Sequence, residues 1–144
     1  MVKNDKYLLG MAGEFNVCAE LMRRGFSASI TYGNSKKADI IVLNDDQIKM
    51  VEVKTTSNQK WVLGKVPQTS NKIWCFVYFP QDLEQKAEYF IIQQTDLSRI
   101  VAEIDMEYRE KFRNKNGKEL SKGVASINQK ELLQYRNAWH FFNN

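Results

Sequence analysis

The stretch Val51-Glu52-Val53-Lys54-Thr55-Thr56 governs how the rest of the chain is read. Valine and threonine in an alternating apolar and polar rhythm favour a half-buried strand. Successive side chains of a strand point to opposite faces, so Glu52 and Lys54 share one face and Val51, Val53 and Thr55 the other. A carboxylate and an ammonium side by side on a sheet can hold a metal ion and a water together. Whether they do so depends on what other segments bring to the same place.

Just upstream, Asn44-Asp45-Asp46-Gln47 reads as a turn between this strand, taken from Ile48 to Thr56, and an apolar one from Ile40 to Leu43. The continuous run Ile40-Ile41-Val42-Leu43 fits a central strand covered on both faces. A turn centred between Asp45 and Asp46 sets Leu43 across from Ile48, Ile41 from Met50 and Asp39 from Glu52. The first two pairs are apolar, as one buried face demands. The third sets two carboxylates across a ladder, which destabilises it unless something else resolves the repulsion. A divalent cation would do so.

Farther upstream, Leu8 to Gly25 reads as a helix that stops at a glycine with Arg23 and Arg24 in its last turn. At about 100° per residue, Met11, Phe15, Cys18, Leu21 and Met22 form one apolar stripe. Glu14 falls inside that stripe and Glu20 points the opposite way. A carboxylate on the inward side needs a partner, either a structural Lys or Arg or a functional one. Phe26 to Tyr32 is read as the first strand, and the polar loop Gly33 to Lys37 leads from it to Ala38-Asp39.

Downstream, Ser57 to Lys72 is polar and irregular, with Pro67 and an exposed-looking Trp61, and is read as a loop or short helix beside the site. Ile73 to Phe79 and Glu88 to Gln93 are two further strands separated by a turn around Pro80 to Lys86. Thr95 or Asp96 can cap a helix whose core stripe is Leu97, Ile100, Val101, Ile104, Tyr108 and Phe112. A basic cluster, Arg109 to Lys118, surrounds Gly117; such clusters are most often a solvated surface, though they can also touch phosphates. Asn128-Gln129-Lys130-Glu131 suggests a cap with a reciprocal glutamate opening a last helix that carries Leu132, Leu133, Tyr135 and Trp139. His140, the only histidine, has no nucleophile signature to partner it and reads as structural or exposed.

The length of 144 residues suits one domain, residues 1–144. A composition 43% hydrophobic and 26% charged argues against disordered and fibrous classes. The net charge of +4 permits a polyanionic partner without requiring one. Cys18 and Cys75 lie in apolar stretches without zinc-type spacing, so they read as buried free thiols in a reducing compartment. No signal-peptide core opens the chain and no run is long enough to span a bilayer, so the expected location is cytoplasmic, with no membrane partner.

Glu14 on the first helix, Asp39 at the head of the second strand, and Glu52 with Lys54 on the third form an ordered set. Together with Gly13-Glu14, Leu21, Gly25-Phe26, Ala38-Asp39-Ile40-Ile41-Val42 and Glu52-Val53-Lys54, the first half of the chain resembles the PD-(D/E)XK nuclease superfamily. Its nearest likeness in pattern is to archaeal-type Holliday junction resolvases. Glu-x-Lys alone is common by chance; the ordered set is more specific. Ala38 stands where the motif has proline, and the second half matches no resolvase feature.

The resemblance implies an α/β fold with a restriction-endonuclease-like core, in which helices flank a mixed central sheet in the order α-β-β-β-(loop/α)-β-β-α-α. It implies a metal-dependent endonuclease that hydrolyses phosphodiester bonds in DNA, branched or structured DNA included. Asp39, Glu52 and the backbone carbonyl of Val53 would bind Mg²⁺, with Mn²⁺ as a substitute. Lys54 would orient the nucleophilic water and offset charge in the transition state, and Glu14 would hold a water of the metal or help a second ion. Lys36, Lys37 and Lys60 would grip the nucleic-acid backbone. Cutting both strands calls for two sites, hence a homodimer. The alternatives are a catalytically inactive nucleic-acid-binding protein on the same fold, and carboxylates that are merely ion-paired with Lys54 and neighbouring bases.

Overall fold

The computed structural model describes residues 5–33, 36–64, 66, 70–119 and 125–143. The first helix, α1, spans Lys6–Arg23. Its start is set by Asp5, whose Oδ1 accepts from the N–H groups of Tyr7 at 2.9 Å and Leu8 at 3.4 Å. Its end is a glycine stop: Gly25 at φ +94° lets its N–H reach Met22 O while the N–H of Phe26 reaches Leu21 O. Gly13, Glu14, Val17, Cys18 and Leu21 are buried. The stripe expected through Met11, Phe15 and Met22 is therefore turned by roughly a quarter of a circle, and Phe15 and Met22 are more than half exposed. The cause is Gly13, against which Thr55 packs directly. A hydrophobic stripe gives no weight to a residue without a side chain, yet the sheet comes nearest there.

Five strands form the main sheet in the order β1-β2-β3-β5-β6: β1 is Ser27–Ile30, β2 Ile40–Asn44, β3 Gln47–Thr56, β5 Ile73–Tyr78 and β6 Glu88–Gln93. All pairs are antiparallel except β3 with β5, so the sheet is mixed, as expected. The predicted hairpin register holds, with Leu43 opposite Ile48 and Ile41 opposite Met50. The face these pairs occupy is not the buried one. Leu43 is 51% and Ile48 65% exposed, whereas Ile40, Val42, Val51 and Val53 point into the core.

That core lies under α1, where Val17, Cys18 and Leu21 meet Ile40, Val42, Val51, Cys75, Trp139 and Phe142. The opposite face is covered only over β5 and β6. There Trp74, Phe76, Phe90 and Ile92 pack against Trp61, Leu97, Ile100, Ile127 and Leu132. The run Ile40 to Leu43 is thus covered on one side rather than two, because the second layer comes from later segments that do not reach β2.

Several expectations for the second half are corrected. The stretch after β3 contains a short strand, β4, Lys60–Val62, paired with β7, Ser126–Asn128. This pairing buries Trp61, whose indole N–H donates to Val77 O at 3.1 Å, so Trp61 is not exposed. Pro67 lies outside the described residues. The long helix α2, Gln94–Asn116, follows directly on β6 and uses neither Thr95 nor Asp96 as a cap. Leu97 and Ile100 are buried, but Tyr108 is exposed, since the far half of α2 runs past the core. The predicted capping box at Asn128 and Glu131 is present. It opens two 3₁₀ helices, Gln129–Tyr135 and Trp139–Phe142, divided by Asn137 at φ +53°, rather than one α-helix. His140 is exposed, as expected.

Candidate active site

Asp39 sits at the entry to β2, where its N–H donates to Val51 O at 2.9 Å and its carbonyl accepts from the N–H of Thr31 at 3.0 Å. The Thr31 hydroxyl also donates to the carbonyl of Ala38. The named ladder ends at Ile40 opposite Val51, and the Asp39 N–H bonds to that same Val51 rather than to Glu52, so the pairing slips by one residue where Asp39 enters. The Asp39 side chain is fixed on both oxygens. Its Oδ2 accepts from the N–H of Val53 at 2.8 Å, and its Oδ1 lies 3.0 Å from Lys36 Nζ. The carboxylate of one strand is thereby held against the backbone between Glu52 and Lys54 of the next.

Glu14 enters from α1, placed by the close approach of Gly13 to Thr55. Its Oε1 lies 3.3 Å from the same Lys36 Nζ, so one ammonium bridges Glu14 and Asp39. Burial, and then the Asp39 charge, push the Glu14 carboxyl above its ordinary range, with Lys36 opposing. The hydrogen bond to Asp39 in turn raises the affinity of Lys36 for its proton. Lys36, expected at the nucleic-acid backbone, is thus turned inward onto two carboxylates. Lys37 is exposed, and Asn34 and Ser35 of the same loop lie outside the described residues.

Glu52 and Lys54 share a face of β3, as the alternation requires. Glu52 Oε1 lies 2.7 Å from Lys72 Nζ. Lys72 was not anticipated from the sequence: it precedes β5, and only the parallel pairing of β5 with β3 brings it to Glu52. No local pattern announces such a contact. Lys54 makes no ion pair among the described residues and lines a cleft together with Lys60.

Among the described residues, no three Asp, Glu, His or Cys side chains come together to enclose a metal. Magnesium does not need such a cage, because it is commonly held by one or two carboxylates and keeps its waters. Asp39 and Glu52 offer hard oxygen donors of that kind. The Lys36 ammonium between Glu14 and Asp39 is already a cation seated among these carboxylates, so the donor set suits a positive ion.

No protein-family model matches the sequence, and no curated protein matches it. Solved structures do. The bacterial homing endonuclease I-Ssp6803I superposes with a TM-score of 0.57 at 14% identity, over 97% of this chain and 92% of that one. The Holliday junction resolvase Hjc of the archaeal hyperthermophile Archaeoglobus fulgidus gives 0.51 at 14% identity, over 85% and 86%. The fold is restriction-endonuclease-like.

In this fold Ala38 directly precedes Asp39. It is buried, and its carbonyl is engaged by Thr31. No helix among the described residues is long and apolar enough to cross a membrane.

Proposed function

We propose that this protein is a metal-dependent DNA endonuclease hydrolysing phosphodiester bonds with Asp39, Glu52 and Lys54, assisted by Glu14. The observation that carries the proposal is the 2.8 Å hydrogen bond from Val53 N–H to Asp39 Oδ2. It ties the strand-entry carboxylate to the centre of Glu52-Val53-Lys54, the order of groups that phosphodiester hydrolysis on a hard cation needs. Asp39, Glu52 and the Val53 carbonyl would hold Mg²⁺ or Mn²⁺. The ion would supply Lewis acidity at the phosphoryl oxygen and a more acidic water.

The chain's own groups do the rest. Lys54, free of ion pairs among the described residues, is available to orient the attacking water and to offset charge that develops on the phosphate. Glu14, whose raised proton affinity reflects burial and the neighbouring Asp39, can hold a water on the inner side. Lys36 is the residue that loading with metal must move, since it neutralises the carboxylates the metal would use. Released, it becomes a candidate phosphate contact beside Lys37. The proposal includes a homodimer, so that two sites can cut two strands, and a cytoplasmic setting.

Incubation with branched, single-stranded and duplex DNA in Mg²⁺ or EDTA tests the reading. Because one of the similar solved structures is by name a resolvase of Holliday junctions, a four-way junction belongs among the substrates. Cutting in Mg²⁺ alone, abolished by Asp39→Ala, Glu52→Ala or Lys54→Ala, is the expected result. Cutting by Asp39→Ala at the wild-type rate would overturn the mechanism. A second reading, a nucleic-acid-binding protein without activity, is favoured by one observation: Lys36 and Lys72 already satisfy Asp39 and Glu52. Salt-sensitive binding with no cutting under any divalent metal would select it.

A further inference from the structure

The lysines near the site fall into two sets. Lys36 and Lys72 are neutralised by Glu14, Asp39 and Glu52. Lys6, Lys54 and Lys60 line one cleft of about 380 Å³ where the start of α1, the end of β3 and the first residue of β4 meet, and no carboxylate lines it. None of the three makes an ion pair among the described residues. Asp5, next to Lys6 in the chain, accepts from the N–H groups of Tyr7 and Leu8 as the helix cap. Three ammonium groups around one cleft repel one another, and a bound anion would offset that.

The walls also indicate what kind of anion. Trp61, the one aromatic residue lining the cleft, is buried with its N–H spent on Val77 O, so its ring is not available to stack on a base. Asn58 accepts through Oδ1 from the Thr56 hydroxyl at 2.6 Å and from the Lys60 N–H at 3.2 Å. Its amide NH₂ has no acceptor among the described residues and is a donor suited to a phosphate oxygen. Ammonium and amide donors without a base-stacking surface bind backbone and carry no sequence information.

The geometry points to a phosphate track: the cleft between Lys6 and Lys60 takes the phosphodiester backbone of the nucleic-acid strand that passes Lys54. The placement of that strand rests on the nuclease reading. Lys54 is shared by the candidate site and the cleft, so a strand whose phosphate reaches Lys54 continues between the other two lysines.

Binding of a short fluorescein-labelled duplex, followed by anisotropy in EDTA across a salt series, tests this without cutting. Lys6→Ala and Lys60→Ala are each expected to flatten the slope of log Kobs against log[salt] by about 0.9. Two unrelated duplex sequences should lose affinity equally, and Lys6→Arg and Lys60→Arg should keep the wild-type slope. Both lysines are exposed, so thermal midpoints should match wild type and separate a binding defect from misfolding. Unchanged slopes in both alanine variants, or a loss confined to one sequence, would overturn the track. The two readings fail separately. Asp39-dependent cutting with unchanged slopes removes the track and keeps the nuclease, whereas flattened slopes in a protein that never cuts remove the nuclease and keep the track.

Discussion

Glu14 shows how a single side chain can reveal a site through its energetics. Its carboxyl is pushed above the ordinary value of 4.5, first by burial and then by Asp39. A raised pKa means that the folded state binds this proton more tightly than the unfolded chain does. The stability contributed by the protonated form is present below the unfolded pKa and is lost as pH rises through the folded one. Above neutrality the ionised Glu14 is therefore a net cost to the metal-free fold. Glu14→Gln should raise the thermal midpoint there, with the gain shrinking as pH falls below 4.5. Differential scanning calorimetry across that range checks it, and a variant less stable than wild type above neutrality would show that the Lys36 contact outweighs burial. The inward position of Glu14 was legible from helical angle. Its partner was not, because Lys36 reaches it through a loop whose course no periodicity encodes.

The contact of α1 with β3 turns on Gly13. A Cβ there would run into the Thr55 hydroxyl and stand 3.1 Å from Thr55 Cβ. Gly13→Ala must push the helix off the strand or drive Thr55 aside, at a cost of about 1–3 kcal/mol as overpacking. Because Glu14 is the next residue, the same shift should lower cutting even where the protein remains folded. Denaturant unfolding and the cutting assay measure the two effects. Thr55→Ala in the same chain should recover part of both, since it removes the hydroxyl and the methyl that clash. A Gly13→Ala protein as stable as wild type would contradict this packing. The hairpin of β2 and β3 belongs to what the sequence made legible: a turn centred between Asp45 and Asp46 and matched apolar pairs determined its register. Which face was buried was not, since Leu43 and Ile48 are as apolar as Ile40 and Val42. Only the placement of the second layer over β5 and β6 tells them apart.

Across the whole molecule, the two free cysteines report on cooperativity. Cys75 lies inside the sheet on β5 and Cys18 on the buried face of α1, and burial pushes both thiols up. Neither presents a thiolate to solvent in the folded chain. Alkylation by iodoacetamide, read by mass spectrometry, should add two groups per chain in denaturant and almost none in native buffer. Protection should be lost at the same denaturant concentration as the circular dichroism signal. Rapid native labelling of Cys75 would mean that the β3–β5 pairing opens locally, and with it the contact of Lys72 with Glu52.

By itself the sequence determined the strand alternation that sets Glu52 beside Lys54, the register that leads Asp39 toward Glu52, and the helix that turns Glu14 inward. Each depends on chain geometry within a few residues or across one tight turn, where spacing determines direction. Tertiary structure alone decided that Lys36 closes on Glu14 and Asp39 and that Lys72 holds Glu52. It alone buried Trp61 against β5 and gathered Lys6, Lys54 and Lys60 around one cleft. These contacts join segments far apart in the chain, and their partners are selected by packing and charge in three dimensions, which no local period records.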